Sequence, residues 1–221
     1  MGVVTKALIF DFDGLLMDTE TTLLECWRHE WRQHGLELNE KVFFADHGGD
    51  INEQRYTELA QAVGPGYDRD ASHARRVAYR DELHAALEPA PGIRAWFDQA
   101  TRLGLRLAVA SSSPVQWVHE HLARSGLLER IDVMACGNEV TAHKPDPAVY
   151  LLALRRLNIR AQQAIAFEDT PHGVAAAKAA GLLCVAIPNA FAAVSRFGAA
   201  DLVLASAAVV TLDKILAGRD T

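Results

Sequence analysis

The chain has 221 residues, half of them hydrophobic and 23% charged, which excludes intrinsic disorder and suits one large domain or an ordinary domain with a smaller companion. Its net charge is −6, and no run of Lys or Arg is interleaved with aromatics, so a nucleic-acid surface is not expected. Three scattered cysteines, Cys26, Cys136 and Cys184, form neither a disulfide framework nor a zinc-ligand pattern and read as buried thiols.

The beginning, MGVVTKALIF, shows no secretory leader pattern, and no later stretch reaches membrane-spanning length. A cytoplasmic protein with no membrane partner, monomeric or weakly dimeric, is the expectation. The first element follows at once. In ALIFDFDGLLMDTE, Leu8 to Phe10 predict a strand, and alternation sends Asp11 and Asp13 to the same side as the backbone leaves the sheet. Between Asp18 and Leu87 the apolar residues Leu23, Leu24, Trp27, Trp31, Leu36, Tyr56, Leu59, Ala60 and Val63 recur at helical spacing. This stretch predicts a helical insert, with Trp27 and Trp31 in its own core and Arg28, Arg32, Arg55, Arg75 and Arg76 on its surface. His47, Gly48, Gly49 and Asp50 lie between two of its helices, as a connection or as a substrate-specificity loop. Glu88-Pro-Ala-Pro-Gly92 is the return hinge.

From Ile93 onward, helical patterns alternate with short apolar runs. Ile93 to Leu103 predicts a helix stopped by Gly104, and Arg106 to Ala110 a strand; Ser113 would then cap a helix starting at Pro114. Ile131 to Ala135 predicts the next strand, with Asp146-Pro147 opening a helix to about Leu157. Gln163 to Phe167 follows as a strand, and Thr170-Pro171 opens a helix that Gly181 ends; Leu183 to Ile187 and Leu202 to Leu204 complete the series. The fold class is therefore α/β, a Rossmann-like, doubly wound, mostly parallel sheet with helices on both faces. Its core would comprise residues 1–17 and 88–221, and the inserted helical cap residues 18–87.

In open parallel sheets, sites form at the carboxyl ends of the strands. Those ends carry Asp11 and Asp13 after the first strand and Ser111, Ser112 and Ser113 after the second. Lys144 in HKPDP comes one loop after the third, and Glu168 and Asp169 in FEDTPHG follow the fourth. Four converging carboxylates repel one another unless a cation lies among them, and all-oxygen donors without a His or Cys pair favour Mg²⁺. Serine hydroxyl, helix-start amides and the Lys144 ammonium supply an anion cradle. Metal beside phosphate cradle implies phosphoryl transfer. There is no G-x-x-x-x-G-K-[ST] loop for a nucleoside triphosphate donor, so the nucleophile is expected to be a carboxylate: Asp11 attacks phosphorus and Asp13 moves the protons. His143 and His172 adjoin these motifs but are read as loop or helix-start residues.

The segments DFDGLLMDTE, VASSSP, HKPDP and FEDTPHGVAAAKAAG resemble, in order, the four motifs of the haloacid dehalogenase superfamily. They resemble its branch with a helical cap after the first motif, which includes β-phosphoglucomutase and many sugar-phosphate and phosphoglycolate phosphatases. The resemblance implies Asp11 as nucleophile and magnesium ligand, Asp13 as acid/base whose carbonyl also meets the metal, and Ser111 as a phosphate ligand. It implies Lys144 as charge neutraliser, Asp169 as direct metal ligand and Glu168 as its support. Asp13 resembles the phosphotransfer members, because dehalogenating ones lack the second aspartate. Leu23 stands where β-phosphoglucomutase has a cap histidine, and no lysine occurs between Lys41 and Lys144. The expected activity is thus Mg²⁺-dependent hydrolysis of a small phosphate monoester such as a sugar phosphate, with a phosphosugar mutase as the alternative. A phospho-accepting signalling receiver or a non-catalytic binder would be the readings of another class.

Overall fold

The computed structural model describes residues 4–43 and 52–218. It divides into two compact units, Met1–Asp18 with Glu88–Thr221, and Thr19–Leu87.

The chain begins with β1 (Ala7–Phe10), then forms the helices α1 (Thr19–Gln33), α2 (Glu40–Phe43), α3 (Asn52–Val63) and α4 (Arg69–Ala85). The remaining regular elements are α5 (Ile93–Arg102), β2 (Arg106–Ser111), α6 (Val115–Arg124), β3 (Val133–Cys136), α7 (Ala148–Leu157), β4 (Ala164–Glu168), α8 (Pro171–Ala179), β5 (Leu183–Ala186), β6 (Leu202–Val203) and α9 (Leu212–Ala217). The six strands form one sheet in the order β3-β2-β1-β4-β5-β6, and every pairing is parallel. This is the expected α/β architecture, with the first strand central. Because β1 is covered on both faces, all four of its residues are fully buried, which is why it reads as a continuous apolar run. Phe10 stacks on Phe167 of β4 at 4.7 Å and meets Phe97 of α5 at 5.3 Å.

Several boundaries differ from the sequence expectation by one or two residues, and two of these matter. β2 extends to Ser111 and β4 to Glu168, so both residues end strands rather than follow them. Ser113 is not a helix cap: α6 is preceded by Pro114, without a side-chain cap bond, and the serine hydroxyl is engaged elsewhere. The helix expected from Pro147 begins at Ala148, whose N–H donates to Asp146. Thr170 does cap α8, accepting from the Gly173 N–H at 3.1 Å, with Pro171 in the first turn.

Around the expected return hinge, Met17 bridges to both Asp13 and Pro89, and the Ala90 N–H donates to the Leu16 carbonyl at 2.8 Å. Gly92 has φ 92°, and a Cβ there would lie 2.4 Å from the Ala207 carbonyl carbon. Only glycine fits that position.

In the helical unit α1 packs on α4. Trp27 is fully buried and meets Tyr56 edge-on at 4.7 Å, as its helical spacing predicts. The surface expectation for the arginines fails at two positions. Arg76 is buried over the Trp27 ring and donates to Tyr56 Oη at 2.8 Å, and Arg55 is buried over Phe43; each ring face takes the guanidinium that periodicity alone would send outward. Half-exposed Arg75 reaches the fully buried Glu30 with Nη2 at 2.6 Å and Nε at 3.1 Å. The three cysteines are free and buried, and burial pushes Cys26 up to about 11 and Cys136 up to about 12, so both remain thiols. Among the described residues no helix is long and apolar enough to cross a membrane.

Candidate active site

The carboxyl edge of the sheet gathers the charged residues that the sequence predicts there. Asp11 directly follows β1, and its N–H donates to the Phe167 carbonyl at 2.9 Å, which extends the β1–β4 ladder by one residue and fixes where the carboxylate projects. Lys144 reaches in from the loop before α7. Its Nζ lies 2.5 Å from Asp11 Oδ1, 2.6 Å from Glu168 Oε1 and 2.9 Å from the Ala110 carbonyl. All three donor positions of the ammonium are thereby directed. Glu168 and Asp169 are fully buried and Asp11 nearly so.

One ammonium faces three buried acids, and the ionisation preferences follow from that imbalance. Burial raises Asp11 most, the Lys144 charge opposes it and Glu168 reinforces it, leaving the carboxyl pushed up to about 7. Lys144 is disfavoured by burial, yet Asp11 and Glu168 outweigh this and hold it firmly as an ammonium. Tyr150 of α7, raised by burial and by the Glu168 charge, keeps its proton and donates it to Glu168 Oε1 at 2.5 Å.

Oxygens of Asp11, Glu168 and Asp169 lie within 4.8 Å of one another, the only such group of potential metal ligands among the described residues. These residues fit a hard divalent cation. The donors are all carboxylate oxygens, three buried acids face a single ammonium, and Glu168 Oε2 is buried without a hydrogen-bond partner. Asp169 Oδ2 is oriented by Asn189 Nδ2 at 2.8 Å.

Asp13 stands apart from the acid cluster. Its carboxylate accepts from Ser113 Oγ at 2.6 Å and from Trp117 Nε1 at 3.0 Å. Four converging carboxylates were expected; the side chains brought together are three. Ser111 is buried at the end of β2 and its hydroxyl accepts from the Ser113 N–H at 3.0 Å, while Ser112 is exposed, with its carbonyl packed on Gly137. His143 is exposed and His172 half-buried at the start of α8. His47, Gly48 and Gly49 lie outside the described residues.

Sequence reasoning missed Tyr150, Asn189 and Trp117. Asn189 follows β5 and would have been found by inspecting that strand end as the other four were inspected. Tyr150 and Trp117 sit in helices and carry no such signal, since their polar tips find the site only through packing.

The model of the haloacid dehalogenase-like hydrolase family matches residues 8–187. The chain belongs to that family. It is 34% identical to the Bacillus subtilis protein YhcW over 96% of each chain. It is 33% identical to a phosphorylated carbohydrates phosphatase of Thermotoga maritima, over 80% of this chain and 82% of the relative. Among solved structures, CbbY from Rhodobacter sphaeroides in complex with phosphate superposes with a TM-score of 0.75 at 28% identity, covering 95% of this chain and 98% of the other. As a haloacid dehalogenase-like hydrolase, the protein is an enzyme, and its sheet edge is where the family resemblance and the buried charges coincide.

Proposed function

We propose that this hydrolase is a Mg²⁺-dependent phosphatase of small phosphorylated metabolites, a sugar phosphate or similar monoester, working through a phosphorylated Asp11 in the cytoplasm. The observation that carries the reading is the Lys144 ammonium held between Asp11 and Glu168 beside Asp169: a buried nucleophile-grade carboxylate, a fixed positive charge, and an oxygen-only cation site on one edge. Relatives named as phosphatases support the reaction class.

In this reading Asp11, Glu168 and Asp169 hold the cation, with the Asp13 carbonyl as a further ligand. Bound Mg²⁺ supplies charge neutralisation for the phosphoryl oxygens and keeps Asp11 ionised. Asp11 attacks phosphorus. Lys144, directed by Glu168 and Tyr150, steadies the nucleophile and the transferring oxygens, and Ser111 and Ser112 bind the phosphate. Asp13 protonates the departing alcohol and then takes a proton from the water that hydrolyses the aspartyl-phosphate. The helical unit inserted between Asp18 and Glu88 serves as the specificity-determining cap, with His47, Gly48 and Gly49 as the loop that reads the substrate. Leu23, half-buried in α1 where a mutase would need a polar group, favours release of phosphate over its return to a sugar.

The test is turnover of p-nitrophenyl phosphate with Mg²⁺ by the wild type and by Asp11→Asn, which keeps volume and removes the nucleophile. We expect loss of activity beyond about a hundredfold, more than one acid/base group typically contributes at minimum. A variant retaining over a hundredth of the wild-type rate would refute the assignment. A panel of phosphate monoesters ranked by kcat/KM then identifies the substrate class.

A further inference from the structure

The Asp13 carboxylate accepts from two neutral side chains, and these donors differ in kind. Ser113 Oγ meets Oδ2 at 2.6 Å; the indole Nε1–H of Trp117 meets Oδ1 at 3.0 Å. An indole N–H can only donate, whereas a hydroxyl can donate or accept. Trp117 therefore keeps Oδ1 an acceptor in either protonation state, and Ser113 can turn to follow a proton on Oδ2.

The indole is itself held in place. The Trp117 carbonyl accepts from His121 Nδ1 at 2.8 Å, the two rings pack with centroids 4.2 Å apart at an interplanar angle of 45°, and the His121 and Phe12 rings meet edge-on at 5.9 Å. Phe12 lies fully buried between the two aspartates of the first motif, so the first turn of α6 and the loop that carries Asp13 brace each other through one small aromatic cluster.

We propose that Trp117 is a positioning residue for the proton-transfer steps of Asp13, an inference that rests on the phosphatase reading above. With Oδ1 engaged by the indole, Oδ2 is the oxygen that exchanges the proton. In the first half-reaction the bond from Asp11 to phosphorus forms as the bond to the alcohol oxygen breaks, and the proton on Oδ2 passes to that oxygen. In the second, water attacks phosphorus, its proton passes to Oδ2, and the Asp11–phosphorus bond breaks to give inorganic phosphate. Trp117 acts through Asp13, fixing the rotamer from which that carboxylate exchanges its proton.

The experiment compares Trp117→Phe with wild type on phenyl phosphate and p-nitrophenyl phosphate, two substrates of similar shape. Phenolate needs a proton to leave more than nitrophenolate does. The expected result is a fall in kcat/KM of about tenfold on phenyl phosphate against less than about threefold on p-nitrophenyl phosphate, with inhibition by inorganic phosphate unchanged, since Brønsted behaviour ties the loss to leaving-group basicity. Equal falls on both substrates, the mark of a purely structural role, or no fall on either, would overturn the inference. Should W117F not fold, W117H, which keeps a ring N–H, is compared with W117A, which does not: a substrate-selective gap between that pair upholds the inference and an identical response overturns it. Asp11→Asn is measured alongside. A wild type inactive on both substrates removes the phosphatase reading and this inference together, whereas an active wild type that Asp11→Asn silences but W117F leaves unselective removes the inference alone.

Discussion

Gly173 in the first turn of α8 is the position where one methyl group should do the most damage to the site. A Cβ there would lie 1.8 Å from Glu168 Oε2, 2.0 Å from Cδ and 2.3 Å from Oε1, where ordinary contact begins at 3.4 Å. The carboxylate would have to move by about 1.6 Å, the difference between the first and last of those distances. Oε1 is meanwhile held by Tyr150 at 2.5 Å and Lys144 at 2.6 Å, and hydrogen bonds weaken steeply over much smaller shifts. Losing both bonds to a charged group costs roughly 3–6 kcal/mol, at about 1.5–3 kcal/mol each. Replacing a helical glycine by alanine returns up to about 1 kcal/mol. A net destabilisation of roughly 2–5 kcal/mol lowers Tm by roughly 4–20 °C for a protein of this size. Because Glu168 also orients Lys144 and, in the proposed mechanism, would offer an oxygen to the metal, kcat/KM for p-nitrophenyl phosphate should fall by about 10–100-fold, the usual effect of losing such a supporting contact. Calorimetry and steady-state kinetics on Gly173→Ala read both quantities. Gly198→Ala is the control: its φ is −60° and nothing lies within 4 Å of a Cβ, so a change within about 0.5 kcal/mol is expected. A Gly173→Ala protein that melts within 2 °C of wild type, on the order of 1 kcal/mol or less, and turns over normally would refute the packing argument.

Removing divalent cations with EDTA should abolish turnover and Mg²⁺ should restore it, while Ca²⁺, with its looser and higher coordination, should restore little; undiminished activity in chelator would contradict the carboxylate-cluster argument. Glu30→Gln probes the helical unit. Burial would raise the Glu30 carboxyl, but the hydrogen bonds from Arg75 and His34 outweigh it and hold the group below the usual range. A carboxyl depressed in the folded state contributes fully above its unfolded value of about 4.3, and the contribution is lost as pH falls through the lower folded value. Because the Arg75 side chain is 40% exposed, we discount the pair to about 1–2 kcal/mol, a Tm loss of roughly 2–8 °C at pH 7 that should shrink below about pH 4. A Tm difference that stayed constant from pH 7 to pH 3 would show that the ion pair is not its source.

What the sequence determined by itself is the chain's local grammar. Short apolar runs separated by helical spacing predict the parallel sheet, and Asp11, Glu168 and Asp169 are legible because a strand's carboxyl end can be located from the run that precedes it, whereas Lys144, a loop beyond its strand, is legible through the HKPDP motif. Alternation along a strand is a local property, so one-dimensional reading reaches it. What only the tertiary structure decided is which groups share an environment. Asp13 could not be separated from the other acids on paper, since its carboxylate turns away to an indole 104 residues later in the chain. Arg76 and Arg55 read as surface because periodicity ranks residues by polarity, whereas burial depends on whether an aromatic face waits across the interface. The Tyr150–Glu168 and Asn189–Asp169 bonds are likewise products of packing, each joining elements that become neighbours only when the sheet has formed and the helices have settled against it, and the close approach of Gly173 to Glu168 is set by the tight β4–α8 turn, which spacing alone does not reveal.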